Sequence, residues 1–252
     1  MFRPRLCGVA AVENIMNYRT SMVFGTALLS LATQTAIAQS APSAYLFGGG
    51  TNDGVGGQQL ALVLADGSTL VANTASRPLS TMPGKENFGW WSDAFSRAPG
   101  NDNYLSGFVN VWPATFRNFF SFDLSNLNGS VVGATLLLNA YSASWPTTKL
   151  LYELYDVSTD PYVLQNKSGL DPVIFQDLGS GRSYGSIEVF DPQYESPTLK
   201  IALNAYAIED INSHQGNYFT LGGVTTPIPE PSTAGLALGG IVLLALRRSR
   251  QS

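Results

Sequence analysis

Apolar and polar residues alternate over short stretches of this chain, most clearly from Phe116 to Leu124. There Phe116, Asn118, Phe120 and Phe122 fall on one face and Arg117, Phe119 and Ser121 on the other, the period of two that a pleated strand requires. A half-buried strand is predicted. After the turn residues Ser125 to Ser130, Val131 to Ala140 is rich in β-branched and aliphatic side chains and is predicted as a strand packed on both faces. Leu150 to Val157, Ser186 to Phe190, Leu199 to Leu203 and Tyr218 to Leu221 continue the series. Short strands at this spacing predict an all-β fold, an antiparallel β-sandwich or jelly-roll-like domain.

One short helix interrupts the strands. Asn204 is placed to cap a segment running to about Ser213, with Ala205, Ile208 and Ile211 at helical spacing and Gly216 beyond its end. The first third has a weaker pattern. Ala44 to Gly57 and Arg77 to Asn103, rich in Gly, Pro and Asn, read as loops around a strand near Leu60 to Val71. The prolines between Thr225 and Pro231 mark an extended linker, so the ectodomain is predicted over 39–224 and the linker over 225–233.

Both ends carry apolar runs. Met22 to Leu31 follows Arg19 and precedes Ala36-Ile37-Ala38, the small-x-small pattern at which signal peptidase cuts, so residues 1–38 are expected to be a signal peptide with cleavage residues Ala36 and Ala38. Glu13 and Asn14 are unusual in a leader, and a start at Met16 or Met22 would make it more regular. At the other end Ala234 to Leu246 is uncharged for 13 residues and is followed by Arg247, Arg248 and Arg250. As a helix it would cover only about 20 Å of a roughly 30 Å hydrocarbon core. The basic end, 247–252, would stay cytoplasmic and leave everything before it across the membrane.

Pro229-Glu230-Pro231-Ser232-Thr233, the apolar run at 234–246 and the terminal arginines resemble, in that order, the PEP-CTERM sorting signal of Gram-negative bacteria. The resemblance implies a partner, exosortase, a membrane cysteine protease-transpeptidase that processes the tail at or near Pro229, Glu230 and Pro231. It implies a route as well: export across the inner membrane, transient anchoring by the tail, then the cell surface or the extracellular matrix, in association with exopolysaccharide. In the body, Phe120-Ser121-Phe122-Asp123-Leu124, Gly133-Ala134-Thr135-Leu136 and Leu154-Tyr155-Asp156-Val157 resemble runs in PEP-CTERM ectodomains with a sandwich like that of DNRLRE-type carbohydrate-binding modules. That resemblance supplies no catalytic residues.

Composition narrows the chemistry. From Gln39 to Pro229 the chain holds eight basic and sixteen acidic residues, a net charge of −8, with no Lys/Arg cluster for phosphates, which argues against nucleic acid as a partner. The sole cysteine, Cys7, falls in the leader, so the mature body has no thiol for a disulfide or a nucleophile. His214 is the only histidine and is read as an exposed side chain interacting with the C-terminal dipole of the predicted helix. No cofactor and no metal ligand set is predicted. Thr51-Asn52-Asp53 and Asn101-Asp102-Asn103 are oxygen-rich enough to suit Ca2+, while turn chemistry accounts for the same residues without an ion.

Two functional readings remain. The pairs Glu153 with Asp156, Asp177 with Glu188 and Glu209 with Asp210 are the carboxylates from which an envelope glycoside hydrolase or polysaccharide lyase would have to be built. Residues 153 and 156 would point to opposite faces of a strand, which weakens that pair. The favoured reading is non-enzymatic. Trp90, Trp91 and Trp145 are candidate sugar-stacking rings, with burial as the alternative, and Trp112, just before the Phe116 strand, is expected in the core.

Overall fold

The computed structural model describes residues 43–49, 57–140, 142–144, 149–189 and 198–228. The expected leader, Thr51-Asn52-Asp53, Trp145 and the expected sorting tail from Pro229 onward lie outside the described residues. Twelve strands follow in chain order: β1 (Ala44–Gly49), β2 (Gln59–Leu64), β3 (Thr69–Asn73), β4 (Phe88–Ser92), β5 (Asn103–Val109), β6 (Ala114–Asp123), β7 (Val131–Asn139), β8 (Ser142–Ser144), β9 (Leu150–Asp156), β10 (Ser183–Val189), β11 (Thr198–Ala202) and β12 (Tyr218–Pro227). Every pairing between them is antiparallel. The large sheet has the order β10-β9-β12-β6-β5-β1-β8, with β4 also paired to β6, and the small sheet runs β11-β7-β2-β3.

The two sheets enclose one core, as a sandwich does. Leu46, Phe120, Phe122, Tyr152, Leu154 and Leu221 from the large sheet meet Leu60, Leu62, Leu136, Leu138 and Ile201 from the small one. Burying each such side chain is worth about 1.5–3 kcal/mol. The predicted helix is present as α3 (Ala205–Ser213), capped by the Asn204 side chain, and it sinks Ala207 and Ile211 into the same core.

Two strand expectations are exchanged. β7 alternates as a one-sided strand, with Leu136 and Leu138 buried and Val132 58% exposed, because among the described residues no layer covers the outside of the small sheet. β6, expected to be half-buried, is covered on both faces from Asn118 to Phe122. Phe120 and Phe122 enter the main core, whereas Phe119 enters a second cluster with Trp91, Leu164, Ile174, Phe175 and Leu178.

That second cluster is roofed by two helices absent from the sequence reading, α1 (Pro161–Asn166) and α2 (Pro172–Asp177). Each begins with an aspartate cap and a proline, Asp160-Pro161 and Asp171-Pro172, whose carboxylates accept from the first free amides. Two arginines, Arg97 from the loop after β4 and Arg117 from β6, hold their far ends. Arg97 donates to Gln165 O and Trp90 O, each at 3.0 Å, and Arg117 to Phe175 O at 2.9 Å and Gln176 O at 3.1 Å. The Arg97 guanidinium lies 5.0 Å from the Phe119 ring centre and 5.5 Å from that of Trp91. Burial pushes it down to about 10, which leaves it cationic at neutral pH.

The boundaries also move. The glycine-rich first third is not all loop, since it contains β1 and β4. The single strand expected near Leu60 to Val71 is the β2–β3 hairpin, turned at Asp66-Gly67, where Gly67 takes φ 83° and the Asp66 carboxylate accepts from Ser68 N and Oγ. β12 runs past the expected linker start, pairing Thr225, Thr226 and Pro227 with β9, and Ile228 N donates to Lys149 O at 2.8 Å. Proline is tolerated at the strand's last position, where it gives up only a terminal amide.

Candidate functional site

A third cluster, made of Leu105, Val109, Ala114 and Phe116 with Tyr45, Phe47 and Trp90 packed against it, belongs to neither of the others. It opens to solvent. β1 approaches β5 closely because Gly107, at φ 110°, has no Cβ; one placed there would lie 2.2 Å from Ala44 O. The β5–β6 hairpin ends at the pair Val109 and Ala114, and Asn110 N donates to Ser43 Oγ at 2.8 Å, tying the turn to the start of β1. This leaves Val111 80% and Trp112 57% exposed at the tip.

The result is a cleft of about 640 Å³. Its walls include Tyr45, Phe47, Trp90, Phe95, Trp112 and Phe116, and its polar positions are Ser96, Asn101 and Asn103. The rings fix one another. Trp90 meets Phe116 edge to face with centres 5.0 Å apart, and Phe95 lies nearly parallel to Phe116 at 6.2 Å. Trp90 Nε1 donates to Asn103 Oδ1 at 3.0 Å, and Ser92 Oγ accepts from the amides of Ala94 and Phe95, which sets the loop carrying Phe95. Volume, aromatic walls and a few amides are the ordinary ingredients of a small-molecule site. Among the described residues the lining carries no carboxylate, imidazole, amine or guanidinium, and what these residues offer is contact with ring faces and neutral hydrogen bonds.

The candidate rings are sorted by this geometry. Trp90 stands in the cleft wall, half-buried. Trp91 is fully buried under Arg97 and α1 and α2, so its ring is closed to a ligand. Adjacent residues of a strand point to opposite sides, and the side to which Trp91 points is the roofed one. Trp112 departs from its expected place in the core, because a residue at a hairpin tip has no second layer to bury against. Tyr45, Phe47 and Phe95 were not foreseen. The run Ala44-Tyr45-Leu46-Phe47 is apolar at both parities, a sign that both faces of β1 are engaged; Phe95 sits in a loop and carries no local signal.

The remaining candidates are engaged elsewhere. Asp102 holds Lys85 Nζ with both oxygens at 2.6 Å, and Asn103 Oδ1 is taken by Trp90, so two of the three oxygen-rich residues at 101–103 serve internal bonds. None of the six paired carboxylates lines the cleft. Asp156 accepts from Arg182 N, Glu188 from Lys149 Nζ, Glu209 from Arg182 and Asp210 from the Tyr184 hydroxyl, and Glu153 lies in β9 beside Tyr155. Burial works against the charge of Asp177, but four donors from Ser158 and Thr159 outweigh it and hold its carboxyl below the usual range. Burial pushes the Tyr184 hydroxyl well above its ordinary value, reinforced by Asp210. His214 caps α3, its Nδ1 2.7 Å from Asp210 O.

Comparison with protein-family models, with curated proteins and with solved structures finds no match for this chain.

Proposed function

We propose that this chain is an exported, non-enzymatic protein of the cell envelope or extracellular matrix, and that it binds polysaccharide through the aromatic cleft. The observation that carries the reading is the cleft itself: ring faces braced by other rings, beside neutral amides. Trp112 supplies an accessible face at the rim, Trp90 and Phe116 a rigid wall, and Asn101 an amide for sugar hydroxyls. A stacked ring is worth about 1–3 kcal/mol, by analogy with base stacking on aromatic side chains. Delivery follows from the resemblance of the tail at 227–252 to the PEP-CTERM signal, with signal peptidase acting after Ala38 and exosortase at or near Pro229-Glu230-Pro231.

One experiment in the producing cell tests both parts. Protein recovered from the culture should sediment with the cell's own exopolysaccharide without releasing reducing ends or unsaturated products. Trp112→Ala should weaken that binding by about 5- to 150-fold, the equivalent of 1–3 kcal/mol. Replacing Pro229, Glu230 and Pro231 with alanine should leave a longer form in the membrane. Failure to sediment removes the binding reading, cleavage of the polymer replaces it with an enzyme, and normal release of the alanine variant removes the sorting reading.

A further inference from the structure

Resting on the polysaccharide reading, we infer that the cleft selects uncharged sugars and rejects uronate, sulfated and phosphorylated ones. The argument is a complete account of positive charge. All eight cationic residues between Gln39 and Pro229 are among the described residues. Seven are already held. Arg77 pairs with Asp123 at 3.2 Å, Lys85 with Asp102 at 2.6 Å, Lys149 with Glu188 at 3.1 Å, Lys167 with Asp171 at 2.5 Å and Arg182 with Glu209 at 3.5 Å. Arg97 and Arg117 point into the roof of α1 and α2, bonded to backbone carbonyls. The eighth, Lys200, is in β11 of the other sheet, opposite Leu137.

No cation therefore lines the cleft, and the one beside its rim, Lys85, is neutralised by both oxygens of Asp102. A carboxylate or sulfate entering it would exchange water for neutral donors alone, and burying a charge without a counter-charge is strongly unfavourable. The body's net charge of −8 adds repulsion at long range. An uncharged hexopyranose loses nothing of this kind. Its axial C–H groups lie against Trp112 and Trp90, and its hydroxyls meet the Asn101 amide and the Ser96 and Tyr45 hydroxyls.

The full-length protein is to be titrated with a neutral β-glucan and with a polyuronate of matched length. The glucan should bind at least about tenfold more tightly, with its affinity changing less than about twofold between low and high salt and between about pH 5 and 8, because no charged group takes part. Asn101→Lys should raise polyuronate affinity in a salt-sensitive way. Equal or tighter polyuronate binding that Trp112→Ala abolishes overturns the selection while leaving the polysaccharide reading intact. An Asn101→Lys variant with unchanged preference also overturns it. Binding of neither polymer, nor of the host's own exopolysaccharide, overturns both.

Discussion

Trp90 and Trp91 are neighbours in sequence and lie in different environments, which makes the tryptophans the sharpest test at the residue scale. Trp91 lies fully buried in the cluster roofed by α1 and α2, so Trp91→Ala should cost about 3–5 kcal/mol of stability in equilibrium unfolding. Trp112→Ala, at an exposed tip, should stay within about 0.5 kcal/mol of the parent. Composition could single out these rings but not separate them. Their fate depends on which sheet face carries a second layer, and that is decided by residues some seventy positions further along the chain. Asp177 offers a test by pH. Its carboxyl is held below the usual range, so its contribution to stability is complete above about pH 4, the value of an unfolded aspartate, and is lost as pH falls through the lower folded value. Asp177→Asn should therefore be less stable than the parent in urea at neutral pH, and the difference should close on acidification. A gap that persists undiminished in acid would show that hydrogen bonds to the neutral group, not its charge, do the holding.

At the scale of elements, period and propensity located most strands, and the Asn204 cap located α3. The errors share a cause: alternation reports which residues differ from their neighbours, not what covers them. β6 reads as half-buried because Arg117 and Ser121 interrupt its outer face, yet Arg117 is there to hold the end of α2. β7 reads as fully buried because Val132 and Leu137 are aliphatic, yet among the described residues its outer side has no covering layer. The Asp-Pro openings of α1 and α2 and the Asp66-Gly67 turn are local signals that a closer reading of caps and turns would find. The end of β12 was obscured by Pro227 and the prolines that follow it in sequence. Its pairing gives a direct check: a chain ending at residue 224 lacks the Thr225, Thr226 and Pro227 pairs to β9, whereas one ending at 228 keeps them. The shorter chain should melt at lower temperature, or fail to give a cooperative transition, when both are followed by circular dichroism. Equal melting temperatures would mean that the last residues of β12 add nothing to the sheet.

For the whole molecule, the legible part was the class: an all-β sandwich with a common core, built without an internal disulfide because the sequence holds one cysteine, Cys7. The cleft was not legible as a place. Its walls come from β1, β4, β5, β6 and the loop of Phe95, and no local pattern states that these meet. The route of the last strand has a mechanical consequence. β12 lies between β9 and β6, with backbone pairs on both flanks, and Ile228 adjoins Pro229 directly. Tension applied through the tail is therefore delivered lengthwise into an interior strand, loading two rows of hydrogen bonds in shear together rather than peeling them one at a time. A protein pulled by its C-terminus would hold its shape until both rows gave way together.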